Sequence, residues 1–444
     1  MKIYQTLEVL RQSGDPGTML LLLTFFFCAI IVMALMFRQP FLICLILIIG
    51  SCYQLQWSTL NVIGLIGKYP LLCILAIAGI AMKGRFKSTY LSYGYLVFCA
   101  IICCQIIRSP AIADSIVKLF CYLLAFFGIL MLSAKVSGDD VQVRRMLRWC
   151  LGWAIIMIWL QIPFMEGMNG RVNGIYMGPW SHSVVAIAVL CVLHAIVTGW
   201  TRNKMMIALC SVTVIAGIGF LILTGGRTAL GATAVSVPII LWTRLKRAML
   251  TTIIVGAITF FALTSILPSM PAFERAAEHL RSTDSSGRFE MWSIAWPQVM
   301  QSPFLGYGPE ASENFGGNTF GMGLHSTYLS LAFDYGIPVA AAFVAFLLCA
   351  CLRSWRMTTR RRTKGSELAS LSGAWLMFMA VSGIVSGVMI QINLTWFLLC
   401  MCLGFLETET LRIHQDNSSV EMLNEYYQID SDPVEGGVSV QVGE

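Results

Sequence analysis

Apolar runs of about 20 residues recur along nearly the whole chain, and they constrain its fold more than any other sequence feature. Such a run spans a bilayer as a helix, because lipid offers the backbone no other hydrogen-bond partner. Only 12% of the 444 residues are charged, against roughly a quarter in an average soluble domain. Together these observations exclude a soluble fold and predict an all-α, polytopic integral membrane protein.

Hydropathy predicts about 12 transmembrane helices, with 12–13 candidates in one membrane domain over residues 1–406. The candidate spans lie near 19–36, 41–56, 62–82, 90–107, 116–133, 149–164, 183–199, 205–224, 228–242, 249–267, 326–352, 369–388 and 391–406. The first three runs leave the side of the N-terminus open, and one of them can be re-entrant. The polar tail 407–444 has the composition of a flexible cytoplasmic end.

Basic residues alternate between the loops that join these spans. Eighteen Lys and Arg residues lie in the loops 83–87, 135–148, 202–204, 244–247 and 353–364. The intervening loops carry only six, in the ranges 108–115, 165–182, 225–227 and 268–324. The positive-inside rule places the first group in the cytoplasm and the second on the outer, periplasmic-type side of the membrane. We therefore interpret the net charge of +7 as orientation signals and expect no nucleic-acid partner.

The fifteen cysteines lie in or beside apolar runs, where we interpret them as small packing residues. None falls in the polar stretch 268–324, and no spacing of Cys and His resembles a zinc site. The N-terminus lacks a cleavable signal pattern, so we expect the first span to remain in the mature protein.

Polar residues concentrate in three segments on the predicted periplasmic side. The longest is the loop 268–324, where helices are expected at Ala272–Leu280 and Arg288–Gln301. The second is the Gly-Gly-Arg turn that ends at Arg227, and the third is the segment 166–182, which contains Arg171 and His182. A loop as long as 268–324 between spans is more often functional than a mere connection.

Two arginines in these segments are candidate anion ligands. Arg227 stands where one apolar helix ends and the next begins, and its planar guanidinium suits a phosphate bidentately. An arginine that extends to lipid headgroups is the alternative. Arg288 is predicted in the first turn of a helix, where the macrodipole disfavours a cation unless an anion lies nearby. A salt bridge from Arg288 to Asp284 or Glu290 is the alternative there.

His325 follows a glycine-rich stretch and precedes an apolar run, so it is expected where a helix enters the membrane. A hydrogen-bonded packing role is the alternative to a catalytic one. Asp334 lies nine residues further on, which on a straight helix places it about 13 Å deeper and on another face. The two residues are therefore not expected to form an acid–base pair, and Asp334 needs another partner at that depth.

Four blocks in this region resemble the superfamily of O-antigen ligases and Wzy-type polymerases. They are Arg288-Phe289-Glu290-Met291-Trp292, Ser302-Pro303-Phe304-Leu305-Gly306-Tyr307-Gly308-Pro309, Leu324-His325-Ser326-Thr327-Tyr328-Leu329 and Asp334-Tyr335-Gly336-Ile337-Pro338. The glycine turn that contains Arg227 resembles the turn that carries an arginine just before the family's large periplasmic loop. The family often has Asn after the motif histidine and Glu in the helix below, where this chain has Ser326 and Asp334.

The resemblance implies a GT-C-like glycosyltransferase that uses a glycan on undecaprenyl pyrophosphate at the periplasmic face, without a metal or other cofactor. It assigns Arg227 and Arg288 to the pyrophosphate, which gains negative charge as it leaves. It assigns His325 either to the acceptor hydroxyl as a base or to the phosphate as a donor. Weaker candidates for substrate contacts are Arg171, His182, Tyr328 and Asp334.

The acceptor remains open at this stage. Lipid A–core would make the protein a ligase of lipopolysaccharide biosynthesis, and a lipid-linked repeat would make it a polymerase of O-antigen or exopolysaccharide. A protein hydroxyl would make it an O-oligosaccharyltransferase. A non-enzymatic transporter or flippase is the alternative from another class. Charged residues are nearly absent from the predicted spans, with Asp334 and Lys118 as examples, and this argues against an ion-coupled carrier.

Overall fold

A computed structural model of the protein describes a helical bundle. The residues described are 47, 72–81, 90–164, 166–168, 171–173, 179–200, 203–223, 226–242, 288–313, 315, 324–360, 366–386 and 394–407. The predicted spans 19–36 and 249–267, nearly all of 41–56, the predicted loop helix Ala272–Leu280 and the tail beyond Glu407 lie outside them.

The described residues form helices with one short hairpin. In chain order the helices are α1 Leu72–Ala81, α2 Tyr90–Gln105, α3 Ile112–Ala125, α4 Met131–Ser137, α5 Asp140–Gln161, α6 Pro179–Thr198, α7 Lys204–Leu223, α8 Arg227–Trp242, α9 Arg288–Gln301, α10 Thr327–Tyr335, α11 Ile337–Arg360, α12 Ser366–Val385 and α13 Leu394–Glu407. A π-helical turn, Phe126–Leu130, joins α3 to α4. The hairpin pairs β1 (Glu166–Met168) antiparallel with β2 (Arg171–Asn173) between α5 and α6.

Five of the described helices are long and apolar enough to cross a membrane: Tyr90–Arg108, Ile112–Ser137, Lys204–Leu223, Ile337–Thr359 and Glu367–Val385. Shorter apolar helices are Leu72–Ala81, His182–Thr198, Arg227–Trp242 and Leu394–Glu407. These helices coincide with predicted spans, so the multi-pass, all-helical class is confirmed. The total of about 12 spans and the extent of the large loop stay predictions, because both depend on residues outside the described ranges.

The predicted span 326–352 is wrong in one respect, because the chain breaks into two helices at Gly336. This glycine adopts a φ of +93°, in a region that residues with a Cβ rarely enter. A Cβ there would lie 2.4 Å from the carbonyl oxygen of Phe304, so backbone from the preceding loop occupies its place. Hydropathy cannot detect this break. Consequently Asp334 belongs to the short α10 and not to the membrane-spanning α11.

Buried aromatic side chains tie the bundle together. Trp375 of α12 donates its indole N–H to the carbonyl of Ile187 in α6, at 3.2 Å. Trp396 of α13 packs on Tyr122 of α3, with ring centroids 4.4 Å apart. Aromatic residues bury large areas and need a partner for their polar atoms, and these contacts satisfy both requirements.

The helix ends form two groups, which agree with the predicted alternation of loops. At one end Lys135 donates to the carbonyl of Gly79 at 2.7 Å, and Trp200 donates to Glu367 at 3.2 Å. These residues adjoin the four basic loops 83–87, 135–148, 202–204 and 353–364. At the other end the predicted periplasmic segments contact each other, and we call this the outer end.

Candidate functional site

Arg288 is the first residue of α9, as the sequence predicts. Its charge acts on His325, where it contributes to lowering the pKa of the imidazole. The structure therefore brings together two candidates that are 37 positions apart in the sequence. Trp292, one turn after Arg288, donates its indole N–H to the carbonyl of Leu324 at 2.8 Å. This bond connects α9 to the residue that precedes His325.

His325 holds an unusual backbone conformation at the entry to α10. Its φ is +48°, which is uncommon for a residue other than glycine and often accompanies a functional constraint. Ser326 then caps α10 by accepting a hydrogen bond from the backbone N–H of Leu329, at 3.3 Å. The next residue, Thr327, donates through its hydroxyl to the carbonyl of Ser386 at 2.7 Å. His325 is thus held by the elements on both sides of it.

Burial, and after it the charge of Arg288, lowers the pKa of His325 below its usual value. Both effects disfavour the imidazolium, the first by desolvation and the second by repulsion. The ring is therefore neutral near pH 7. A neutral imidazole beside a fixed positive charge can accept a proton from a hydroxyl, whereas an imidazolium cannot.

His182 and Arg227 form a second group at the outer end. A Cβ added to Gly226 would lie 3.0 Å from Cγ of His182, so the histidine ring packs directly against the residue before Arg227. Arg227 itself is exposed and begins α8. Two candidates from loops 40 or more positions apart thus meet at the start of one helix, where backbone N–H groups and the macrodipole favour an anion.

The packing of α8 against α12 relates the two groups. Trp242, the last residue of α8, stacks on Trp355 of α11, with ring centroids 4.5 Å apart, and the neighbouring Ser354 donates to the carbonyl of Ala369 near the start of α12. The C-terminal end of α8 therefore lies beside the start of α12, so the two helices are antiparallel. The end of α8 that carries Arg227 therefore lies toward the end of α12. Ser386 directly follows that end, and its carbonyl accepts the hydrogen bond from Thr327, two residues after His325. Arg227 and His325 accordingly occupy the same outer end of the bundle.

Two more of the predicted site residues, Arg171 and Tyr328, have defined partners in the structure. Arg171 is part of β2, where its backbone pairs with Met168. Tyr328 is half-buried and donates its hydroxyl to the carbonyl of Ala380 at 2.6 Å, which ties α10 to α12. Substrate contacts by these two residues stay predictions.

Asp334 is buried, and its partner is Ser312 in the loop after α9. The backbone N–H of Ser312 donates to one carboxylate oxygen at 2.6 Å, and its hydroxyl donates to the other at 3.0 Å. The N–H of Gly308 donates to the backbone carbonyl of Asp334 at 2.8 Å. The expectation that this acid needs a partner is confirmed, and the partner is the loop that joins α9 to α10.

Two further charged contacts hold this loop, and the sequence analysis did not identify them. Lys118 of α3 forms a salt bridge of 2.5 Å with Glu310, and both side chains are largely buried. Arg108 donates to the carbonyl of Gly306 at 2.9 Å. The sequence analysis placed Arg108 and the loop 302–312 on the same, periplasmic side of the membrane. That placement is the one sequence signal that could have suggested a contact between them.

An apolar groove of about 450 Å³ begins beside the His325 site. Trp292 and Trp296 of α9 line one wall, and Ser326 lies at the end nearest His325. The other lining residues come from α10, α11 and the end of α12, and they are Tyr328, Leu329, Ala332, Ile337, Ala340, Ala341, Val344 and Ile384. The groove is therefore lined almost entirely by apolar side chains and adjoins a polar, cationic site.

Among the described residues, no three His, Cys, Asp or Glu side chains are placed to hold a metal ion. Other carboxylates of the predicted loop, such as Asp284, lie outside those residues. The expectation of a metal-independent reaction therefore stays a prediction.

Comparison with known families gives one match. Residues 212–344 match the family model described as O-Antigen ligase. The matched range contains Arg227, Arg288, His325 and Asp334, and it confirms the resemblance noted on the sequence. A search of curated proteins found no match.

Proposed function

We propose that the chain is a membrane glycosyltransferase of the O-antigen ligase type, because residues 212–344 match the family model of that description. The donor in this proposal is a glycan on undecaprenyl pyrophosphate. The acceptor is a hydroxyl of lipid A–core or of a lipid-linked repeat unit. The reaction takes place at the outer end of the bundle, on the periplasmic face of the inner membrane.

The observation that carries this proposal is the placement of Arg288 beside a His325 that is neutral near pH 7. In the proposed step, the imidazole of His325 takes the proton of the acceptor hydroxyl. The acceptor oxygen bonds to the anomeric carbon as the bond from that carbon to the pyrophosphate oxygen breaks. The electron pair leaves with undecaprenyl pyrophosphate, and Arg288 and Arg227 stabilise its added negative charge.

The apolar groove supports a lipid-linked donor. Its near end adjoins Ser326, so a pyrophosphate at Arg288 would have its hydrocarbon chain directed between Trp292 and Val344. Because such a chain already lies in lipid, an apolar lining accepts it without the cost of removing polar groups from water. The groove thus offers an isoprenoid chain a site that a free sugar nucleotide would not use.

A ligase and a polymerase share this machinery, and they differ in the acceptor alone.

The charge pattern favours transfer over ion-coupled transport. Within the described spans, Lys118 forms its salt bridge with a loop residue at one end of the bundle, whereas coupled carriers place ionisable groups near mid-membrane.

Purified protein in detergent micelles tests the proposal, because a micelle has no second compartment for a transporter to use. We expect the protein to form a new glycosidic bond when given an undecaprenyl-pyrophosphate-linked glycan with lipid A–core or with a second lipid-linked glycan. We expect the same rate in excess EDTA. His325→Asn should abolish the product, and Ser293→Ala, at an exposed position of α9, serves as the matched control.

Two results would contradict the proposal. One is the absence of product with either acceptor from protein that is folded in the micelle. The other is full activity of His325→Asn, which would return this residue to a packing role. Loss of activity in EDTA with recovery in magnesium would overturn the metal-independent mechanism alone.

A further inference from the structure

Helix α9 has three distinct faces. Met291, Ala295 and Val299 recur every four residues and are buried against the bundle. On one flank of this buried face lie Phe289, Trp296 and Met300, which fall within about 40° of each other at 100° per residue. The opposite flank carries Glu290, Pro297 and Gln301, with Ile294 at its edge. We call Phe289, Trp296 and Met300 the α9 stripe.

The α9 stripe is apolar and open to its surroundings. The exposed fractions are 66% for Phe289, 50% for Trp296 and 53% for Met300. Phe304, just after the end of the helix, is 75% exposed and extends the apolar surface. Four large side chains exposed on one short segment form a patch, and a patch of this kind marks an interaction site.

The surface next to the α9 stripe indicates that lipid covers the stripe. Trp296 lines the apolar groove, whose opposite wall includes Ala341 and Val344 of α11. Further along α11, Leu348 and Leu352 are 52% and 54% exposed. Because α11 is long and apolar enough to span the membrane, we infer that these exposed leucines face lipid. The stripe is thus continuous, through the groove, with a lipid-facing surface.

We propose that α9 is an interfacial helix, which lies along the outer leaflet and buries the α9 stripe at the boundary between headgroups and acyl chains. An amphipathic helix in that position places its aromatic and aliphatic face about 5–10 Å into the boundary and keeps its polar face in water. Glu290 and Gln301 occupy the flank that remains in water. Arg288, in the first turn, then lies at the level of the lipid phosphates.

The proposal assigns α9 a task beyond bearing Arg288. An interfacial helix fixes the depth of the Arg288 and His325 pair relative to the headgroups, so that a lipid-borne group enters from the side, through the groove. Membrane contact by the stripe does not depend on glycan transfer. A failure of the proposed function would therefore leave this inference intact, and the reverse also holds.

A depth measurement tests the proposal without any activity assay. A fluorescent noncanonical amino acid is placed singly at Phe289, Met300, Glu290 or Gln301 in the full chain, by codon suppression, so the native cysteines need no change. Each variant is reconstituted in nanodiscs of phosphatidylethanolamine and phosphatidylglycerol, with lipids brominated high or low on the acyl chain. All four positions are exposed on α9, so each flank supplies the control for the other.

We expect the probes at 289 and 300 to be quenched by the high-brominated lipid at least about twofold more than those at 290 and 301, because only one face enters the acyl region. Equal quenching on both flanks would overturn the proposal. So would the absence of quenching at all four positions, which would mean that protein, from this chain or another copy, covers the stripe. Circular dichroism of each variant confirms that the helical content is unchanged.

Discussion

Ser312 donates two hydrogen bonds to Asp334, one from its backbone N–H at 2.6 Å and one from its hydroxyl at 3.0 Å. Asp334 lies near the end of α10, and Ser312 lies in the loop that follows α9. The pair therefore fixes the helix that begins beside His325 relative to the loop that leads from Arg288. Asp334 is buried and bonded to this loop, so we expect the pair to position the site; a substrate contact by Asp334 stays a prediction.

The two partners of this pair should differ in their effect on stability. Ser312→Ala removes the hydroxyl bond but keeps the backbone donor, so we expect a loss of about 1 kcal/mol. Asp334→Ala leaves the buried N–H of Ser312 without an acceptor, and we expect a loss of about 1–3 kcal/mol. Thermal unfolding in detergent measures both, with Glu290→Gln on the exposed flank of α9 as the control. Equal losses would contradict the assigned bonds.

The salt bridge between Lys118 and Glu310 should show strong coupling. Glu310→Gln removes the nearest counter-charge of a buried ammonium and leaves only the more distant Glu313 and Asp334, so we expect a loss of up to about 3–5 kcal/mol. Lys118→Met combined with Glu310→Gln removes both charges and should recover most of that loss. The measurement is a double-mutant cycle on thermal unfolding. Additive losses would mean that solvent screens both charges and that the pair does not hold the loop.

Gly226 offers a test of the second group of site residues. A Cβ at this position would lie 3.0 Å from the ring of His182, whereas a Cβ at Gly231 in the same helix would have no neighbour within 4 Å. We expect Gly226→Ala to displace the ring of His182 from the start of α8 and to lower glycan transfer severalfold. Gly231→Ala should leave transfer unchanged and add up to about 1 kcal/mol of stability from helix propensity. Identical behaviour of the two variants would remove His182 from the site.

Local sequence signals predicted the elements of the site well. The polar run before Arg288 placed the start of α9 at its observed residue, and the apolar run after His325 placed the start of α10 within one residue of its observed position. The break at Gly336 escaped prediction because its cause is the backbone of Phe304, 32 positions earlier. Hydropathy averages over such a break and returns one long span.

The partners of buried charges were the other feature that the sequence could not supply. Asp334 was expected to need a partner, but Ser312 is only one of many polar residues in the loop. The pairing of Lys118 with Glu310 joins segments 192 positions apart, which no local pattern relates. The predicted sidedness limited the choices, since Arg108 and the loop it contacts were placed on the same face.

The backbone of His325 predicts how its substitutions differ in stability. At a φ of +48°, Asn and Gly are tolerated, whereas a β-branched residue is strained by about 1–2 kcal/mol. We expect His325→Asn and His325→Val to be equally inactive, with the valine variant unfolding at the lower temperature. Activity assays and thermal unfolding in the same detergent check both points. A valine variant as stable as the asparagine variant would show that the loop relaxes at this position.

The dependence of transfer on pH should report the contact between Arg288 and His325. Burial and the charge of Arg288 both lower the pKa of His325, so the neutral ring persists below the usual histidine value of about 6.5. If His325 acts as the base, the acid limb of kcat/KM lies below that value. Arg288→Gln removes the repulsion but not the burial, so the limb should move upward while the rate falls. Arg288→Lys keeps the charge and loses the bidentate fork, so the rate should fall with the limb in place. The position of the limb in the two variants, measured with a lipid-linked donor, separates charge from geometry. A limb that stays fixed in Arg288→Gln would mean that His325 is not the group that titrates, and would favour its alternative role as a donor to the phosphate.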